Sequence, residues 1–299
     1  MAKVQKNEFR FRAMGTEFLF RIYSETDEVE TARCETVAHQ AIARVRMLED
    51  QLSEFKATSS VGEINLSFPR TPVSVGSDFA KVFTQALQVR LRTAGAFDPF
   101  IKSGIRMKEE DFSWNPETFV FVKNNSALKL SFGAIGKGFA LDEVAAVLMT
   151  ENFASFVISA GGSSMIRSRV EDIPEEEKIF WVLDKDQSEG DSGYSGTWLR
   201  TEPEVLKRAI SYSVSAEYER GKHILGGASY APLQATLVAD RSACISDALA
   251  TAFFVAGWEG VSQWGGQAAF LSVDHQQIPS WNTEAGKLFI IPDDWTNSA

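Results

Sequence analysis

The chain predicts an α+β fold, because its strands and helices come in groups rather than as alternating strand–helix–strand units. Three observations carry this. Residues 9–23 alternate around Met14-Gly15-Thr16, with Phe18, Phe20 and Ile22 on one face, as a strand pair or bent strand does. Two long helical patterns, 27–55 and 77–93, follow with only a polar break at 58–65 between them. Short apolar strands then crowd the second half, at 156–159, 179–183, 210–214, 235–239, 268–273 and 287–291. At 299 residues the length suits one large domain or two small ones. No repeat or clear linker divides residues 1–299, so one domain with mixed or antiparallel sheets and packed helices is expected.

The first helix rests on Val37, Ala41, Val45, Leu48, Leu52 and Phe55, spaced three or four apart. The second has Ser77 as a candidate N-cap and Gly95 as a candidate C′ residue, with Phe79, Phe83, Ala86 and Val89 near its buried stripe. Ala96-Phe97-Asp98-Pro99 reads as a turn, and 102–117 as polar and irregular. Residues 118–123 and 128–132 suggest a hairpin around Asn124-Asn125-Ser126. Gly133-Ala134-Ile135-Gly136-Lys137-Gly138 then leads into a helix from Phe139 to about Thr150. Residues 184–196 form an acidic, Gly/Ser-rich loop. The apolar run Ala252-Phe253-Phe254-Val255-Ala256 reads as a short buried helix ending at Gly257.

A net charge of −10 argues against a nucleic-acid binder, which carries a basic footprint. Cys34 and Cys244 are isolated, so they build neither a disulfide framework nor a zinc site. His39, His223 and His275 are far apart and form no ligand cluster. The first residues contain no apolar signal core and no lipid-attachment cysteine, and no 18-residue apolar run occurs. A cytoplasmic protein without a membrane span is the expectation.

Four segments could carry chemistry. Asp247 and Thr251 lie four apart on one face of a buried helix, and two oxygen ligands there suit a hard cation such as Mg²⁺. The alternative is that Asp247 or Ser246 caps the helix and Thr251 bonds back to a carbonyl. The glycine-rich loop 133–138 would let backbone approach a phosphate at a helix N-terminus, with Lys137 as a point charge, or it is a tight strand–helix connection. It fits neither a Walker loop nor a dinucleotide-binding fingerprint. Asp98 could accept a hydrogen bond from a ribose or base, or simply form its turn. His223 is a candidate proton acceptor, or a structural histidine.

Taken in order, Met14-Gly15-Thr16, Ala96-Phe97-Asp98-Pro99, the 133–138 loop with Asp142 after it, Ala160-Gly161-Gly162, Tyr218-Glu219-Arg220 with His223-Ile224, and Ser246-Asp247-Ala248-Leu249-Ala250-Thr251 form one register. That series resembles the FAD:protein FMN transferase family, also called the ApbE family, over roughly residues 9–257. The resemblance implies a T-fold-like domain with an FAD cleft between sub-lobes. It implies Mg²⁺-dependent transfer of the FMN half of FAD to a Thr or Ser hydroxyl of an acceptor flavoprotein, with release of AMP. Related activities are hydrolysis of FAD to FMN and AMP, or FAD binding without turnover. By resemblance the metal ligands are Asp247, Thr251 and the carbonyl of Ala134, with Ala250 nearby, where some members are acidic. Met14 would pack on a ring of FAD, Phe55 would stack in place of a tyrosine, and Ala96, Phe97 and Asp98 would hold the cofactor. Lys137 would contact FAD, Ile224 would pack against it, and His223 would be the base.

The chain also departs from the pattern. Ser131 stands where the loop usually begins with Asp, so a hydroxyl replaces a charge. Gly161-Gly162-Ser163 replaces a Gly-Gly-Asp turn, and Val214-Ser215-Ala216 a Thr-Ser-Gly. His223-Ile224-Leu225-Gly226-Gly227-Ala228-Ser229-Tyr230 lacks the family's Asp and Pro after the histidine.

Overall fold

Two residues in left-handed backbone, Met14 (φ 50°) and Gly15 (φ 72°), join strands β1 (Val4–Ala13) and β2 (Thr16–Glu25). Paired positive φ angles are what a two-residue hairpin turn needs to match the strand twist. The computed structural model describes residues 4–168, 179–182, 197–201, 210–216, 233, 235–264, 268–274 and 279–290, with backbone alone at 179–182, 197–201 and 290. After the hairpin come α1 (Glu28–Leu52), α2 (Ser60–Leu66), β3 (Pro72–Ser74), α3 (Ser77–Arg92), β4 (Phe112–Asn115), β5 (Val120–Lys123) and α4 (Gly136–Thr150). The second half holds β6 (Phe156–Ala160), β7 (Ser164–Arg167), β8 (Ile179–Val182), β9 (Thr197–Thr201), β10 (Ile210–Ala216) and β11 (Ala235–Asp240). It closes with α5 (Ala243–Val261), β12 (Ala269–Val273), β13 (Pro279–Trp281), α6 (Thr283–Leu288) and β14 (Phe289–Ile290).

The main sheet runs β1-β2-β6-β7-β10-β11-β12-β13, and β3-β5-β4 and β14-β9-β8 form two smaller sheets. Every pairing among the described residues is antiparallel. Helices α1, α3, α4 and α5 share one apolar core with Phe18, Phe20 and Ile22 of β2. The opposite face, at the β10–β12 end, is covered by Ala285, Leu288 and Phe289. Strand β11 is therefore buried on both sides: Val238 joins the first core, Leu237 and Ala239 the second. Its apolar run Leu237-Val238-Ala239 follows from that. The fold is a single α+β domain, as the grouping of elements predicts.

Several local readings change. Residues 128–132 form no strand; β5 pairs instead with β3 and with β4, which lies inside the stretch read as irregular. The Asn65 side chain explains the missing partner, since its Oδ1 accepts from Leu130 N at 2.7 Å and its Nδ2 donates to Leu130 O at 2.8 Å. One amide thus imitates a neighbouring strand. That asparagine sits in α2, a one-turn-plus helix in the supposed polar break, capped by Ser59 Oγ on Gly62 N. Gly76, not Ser77, is the N-cap of α3. At its other end Ala94 N bonds Leu91 O and Gly95 N bonds Arg90 O. The glycine therefore lies one place later than read, at C″, and Ala94 takes the left-handed C′ position with φ 50°. Helix α5 breaks at Gly257 (φ 59°, ψ −153°) but turns on to Val261. It is long and apolar enough by composition to cross a membrane, and it is mostly buried inside the fold. Both cysteines are free and buried, and burial pushes the Cys34 thiol up to about 11.

Three helices are tied by Arg44 of α1. Its guanidinium bonds both oxygens of Asp78 on α3, at 2.7 and 2.6 Å, and also pairs with Glu143 on α4. The guanidinium holds Asp78's carboxyl below its ordinary 3.8. Arg44→Ala, which leaves two carboxylates without their partner, is expected to cost about 3 kcal/mol at neutral pH in urea unfolding. A depressed native carboxyl contributes stability that is whole above its unfolded pKa and is lost as pH falls through the native one. The gap between wild type and Arg44→Ala should therefore narrow below about pH 4. A gap that stays constant into acid would show that Asp78 is not the linked group.

Candidate functional site

The N-termini of α4 and α5 meet. Helix α4 begins at Gly136 with Ile135 as N-cap, which has no side-chain acceptor to offer. Its third amide, Gly138 N, donates instead to Asp247 Oδ2 of α5 at 3.1 Å. The service is returned. Asp142 of α4 accepts from Ala243 N (2.8 Å), Cys244 N (3.0 Å) and Ser242 Oγ (2.7 Å) at the start of α5. Each helix thus satisfies orphan amides of the other. The crossing is tight enough that a Cβ on Gly138 would lie 2.0 Å from Ala243 O. Burial, and secondarily the charge of Asp240, push the Asp142 carboxyl above its ordinary value, against its three hydrogen bonds.

Asp247 does not cap its own helix. Ser242 does, accepting from Ile245 N at 3.3 Å, while Asp247 lies in the second turn and is 5% exposed. Its Oδ1 accepts from Ser164 Oγ at 3.1 Å and faces Lys137 Nζ at 3.6 Å. Lys137 comes from the first turn of α4, so the glycine-rich loop, the lysine and the aspartate do converge. Thr251 Oγ1 makes a long bond, 3.4 Å, to Asp247 O, as the back-bonding alternative has it. Ala134 is half-buried in the turn before α4. Ala250 is fully buried, and its carbonyl already accepts from Thr236 Oγ1 at 3.0 Å. Among the described residues no group of three His, Cys, Asp or Glu side chains gathers as a metal cluster.

The loop that leads to Lys137 also fixes the other candidates. Ser131 N donates to Pro99 O at 2.9 Å, which sets the 96–99 turn beside the loop. Ala96 is half-buried and Phe97 almost fully buried. The Asp98 carboxylate accepts from Arg90 Nε and from Phe100 N, each at 3.0 Å, so it forms its turn as the simpler reading holds. Phe55 is 87% exposed just beyond α1, with Lys102 Nζ 5.5 Å from its ring centroid. Met14 is half-buried, and its N–H donates to Glu49 Oε1 at 2.8 Å. The turn it begins adjoins the β6–β7 turn, where Gly161 N donates to Glu17 O at 2.8 Å, three residues before Ser164, the serine that bonds Asp247. His223 and Ile224, with the altered 225–230 segment and the 184–196 loop, lie outside the described residues.

Two partners escape sequence reading. Ser164 follows the Gly161-Gly162-Ser163 turn and reaches Asp247 only through sheet pairing. Glu54 accepts from Ser131 Oγ at 2.9 Å across 77 residues. The nearest signal for it is its place beside Phe55.

The ApbE family model matches residues 14–269. The fold is similar to that of the flavin transferase ApbE from Vibrio cholerae (TM-score 0.78, 15% identity, 96% of this chain and 100% of that one). It is also similar to the flavinyl transferase ApbE of Pseudomonas stutzeri (0.75, 19%, 96% and 97%) and to the ApbE protein of Thermotoga maritima (0.73, 20%, 94% and 98%). A FAD:protein FMN transferase of Buchnera aphidicola is 23% identical over 146 residues, 40% of this chain and 43% of its own length. The match thus spans less than half of that curated relative.

Proposed function

The chain belongs to the ApbE family, and on that premise we propose that it transfers the FMN half of FAD to a Thr or Ser hydroxyl of an acceptor flavoprotein. The carrying observation is Lys137 and Asp247 at the joined N-termini of α4 and α5. Helix N-termini and a lysine favour a pyrophosphate. A divalent cation fits beside them. Asp247 is a buried carboxylate facing one lysine, and Thr251 Oγ1 has only a long bond among the described residues. With the carbonyl of Ala134 these are hard oxygen donors of the kind Mg²⁺ takes, its shell completed by water and substrate phosphate. We leave Ala250 out, since its carbonyl is engaged. When bound, the metal would neutralise phosphate charge.

The chain's own groups then have distinct tasks. Lys137, in the first turn of α4, holds the pyrophosphate. Phe55 and Met14 take rings of FAD, Ile224 packs against it, and backbone of 96–98 borders it. The acceptor oxygen attacks the FMN phosphorus, the bond to the AMP phosphate breaks, and the acceptor proton passes to His223.

Incubation with FAD, Mg²⁺ and an acceptor domain should yield a target heavier by one FMN less one water, seen by mass spectrometry, with AMP released. FAD bound with the target unchanged would overturn transfer. Free FMN and AMP in that case would mark a hydrolase, and neither product a binder.

A further inference from the structure

We infer that Glu54 supplies the carboxylate that is missing at Ser131 and, with Phe55, forms a recognition point for one of the two ring systems of FAD. This rests on the proposed FAD reading. Glu54 lies just past α1 with its side chain 15% exposed. Its Oε1 accepts from Ser131 Oγ at 2.9 Å and from Lys102 Nζ at 2.6 Å. Both bonds fall on Oε1, and Oε2 has no partner among the described residues. The next residue, Phe55, is the most exposed large apolar side chain among them. Lys102 covers one side of its ring, 5.5 Å from the centroid.

A spare carboxylate oxygen beside an open aromatic face suits a particular ligand. It is a planar nitrogen heterocycle that stacks on the ring and donates an edge N–H to the oxygen. Adenine carries such a donor in its amino group, and the flavin in its imide. The place is right for either. Ser131 opens the loop whose far end is Lys137, and that loop doubles back, with Phe132 O accepting from Ile135 N (3.1 Å) and Gly136 N (2.7 Å). Glu54 thus meets one end of the loop and Lys137 stands at the other.

Glu54→Gln is the decisive variant. Ser131 and Lys102 both donate, so they keep the amide oxygen at the Oε1 place and leave the NH₂ where Oε2 was. A donor then meets the ring's donor. Calorimetric titration of wild type, Glu54→Gln and Phe55→Ala with FAD should show both variants weakened about tenfold or more. Melting temperatures should stay near wild type. Titration with ADP and with FMN identifies the ring: the same one of the two should lose affinity in both variants, and the other should stay within about twofold. Wild-type FAD affinity in Glu54→Gln, or equal loss toward ADP and FMN, overturns the inference and leaves the flavin reading standing. Wild type that does not bind FAD overturns the flavin reading, and this inference with it.

Discussion

Asp247→Ala is expected to lower FAD turnover at least a hundredfold and to destabilise the fold at the same time. The activity loss follows from removing the carboxylate that faces Lys137 at the joined helix ends. The stability loss follows from what the carboxylate holds: Gly138 N, Ser164 Oγ and the charge of Lys137. A buried donor left unsatisfied costs about 1–3 kcal/mol, so a loss of about 3 kcal/mol is expected in urea unfolding. Asp247→Asn separates the two effects, because its amide oxygen still accepts one of the donors. It should recover part of the stability and none of the turnover. In a Lys137→Ala background the stability cost of Asp247→Ala should shrink, since no half-buried cation is then left without its partner. Asp247→Ala with wild-type unfolding would contradict the interhelical cap, and with wild-type turnover would contradict the site.

Gly138→Ala is expected to be among the most damaging single-methyl changes in the described helices. Its Cβ would sit 2.0 Å from Ala243 O, 2.5 Å from Ala243 C and 2.8 Å from Cys244 N, all backbone atoms. No rotamer relieves such a contact, so the helices must part. Parting lengthens the Asp142 and Asp247 caps together. Overpacking costs about 1–3 kcal/mol and each lost cap about 1 kcal/mol, for a total near 4 kcal/mol. Gly133→Ala is the control, five residues before the helix crossing, where the new methyl would meet only Ser131 Oγ at 3.5 Å. Equal urea midpoints for the two variants would refute the tight crossing.

What the sequence makes legible follows the range of the forces involved. Helix α1 shows because its apolar spacing is written within one segment; it runs Glu28–Leu52 inside the expected 27–55, and Phe55, read as the end of its stripe, lies beyond it and is exposed. The β1–β2 hairpin shows for the same reason, through alternation and a Met14-Gly15 turn. Strand 128–132 misleads because an apolar run gives no sign that Asn65, far back in the chain, will take its hydrogen bonds. In the site, Asp247 stands out as a carboxylate in an apolar helix, yet its companions Ser164 and Gly138 come from other elements. Thr251 is the back-bonded hydroxyl of the simpler reading. Glu54 is invisible because nothing local sets it apart from the carboxylates of α1 that precede it.

The crossed helix ends also bear on how inactive relatives should look. Asp142 and Asp247 each hold a neighbour's first turn, so a descendant that abandoned catalysis would still need them to fold. Their survival in a sequence reports an intact scaffold and is silent about turnover. Residues with little structural employment drift first once chemistry is released. Phe55, 87% exposed, and Thr251, with its one long bond, are of that kind here. Telling active from retired members of this fold should therefore weigh those two positions above the aspartate that first draws the eye.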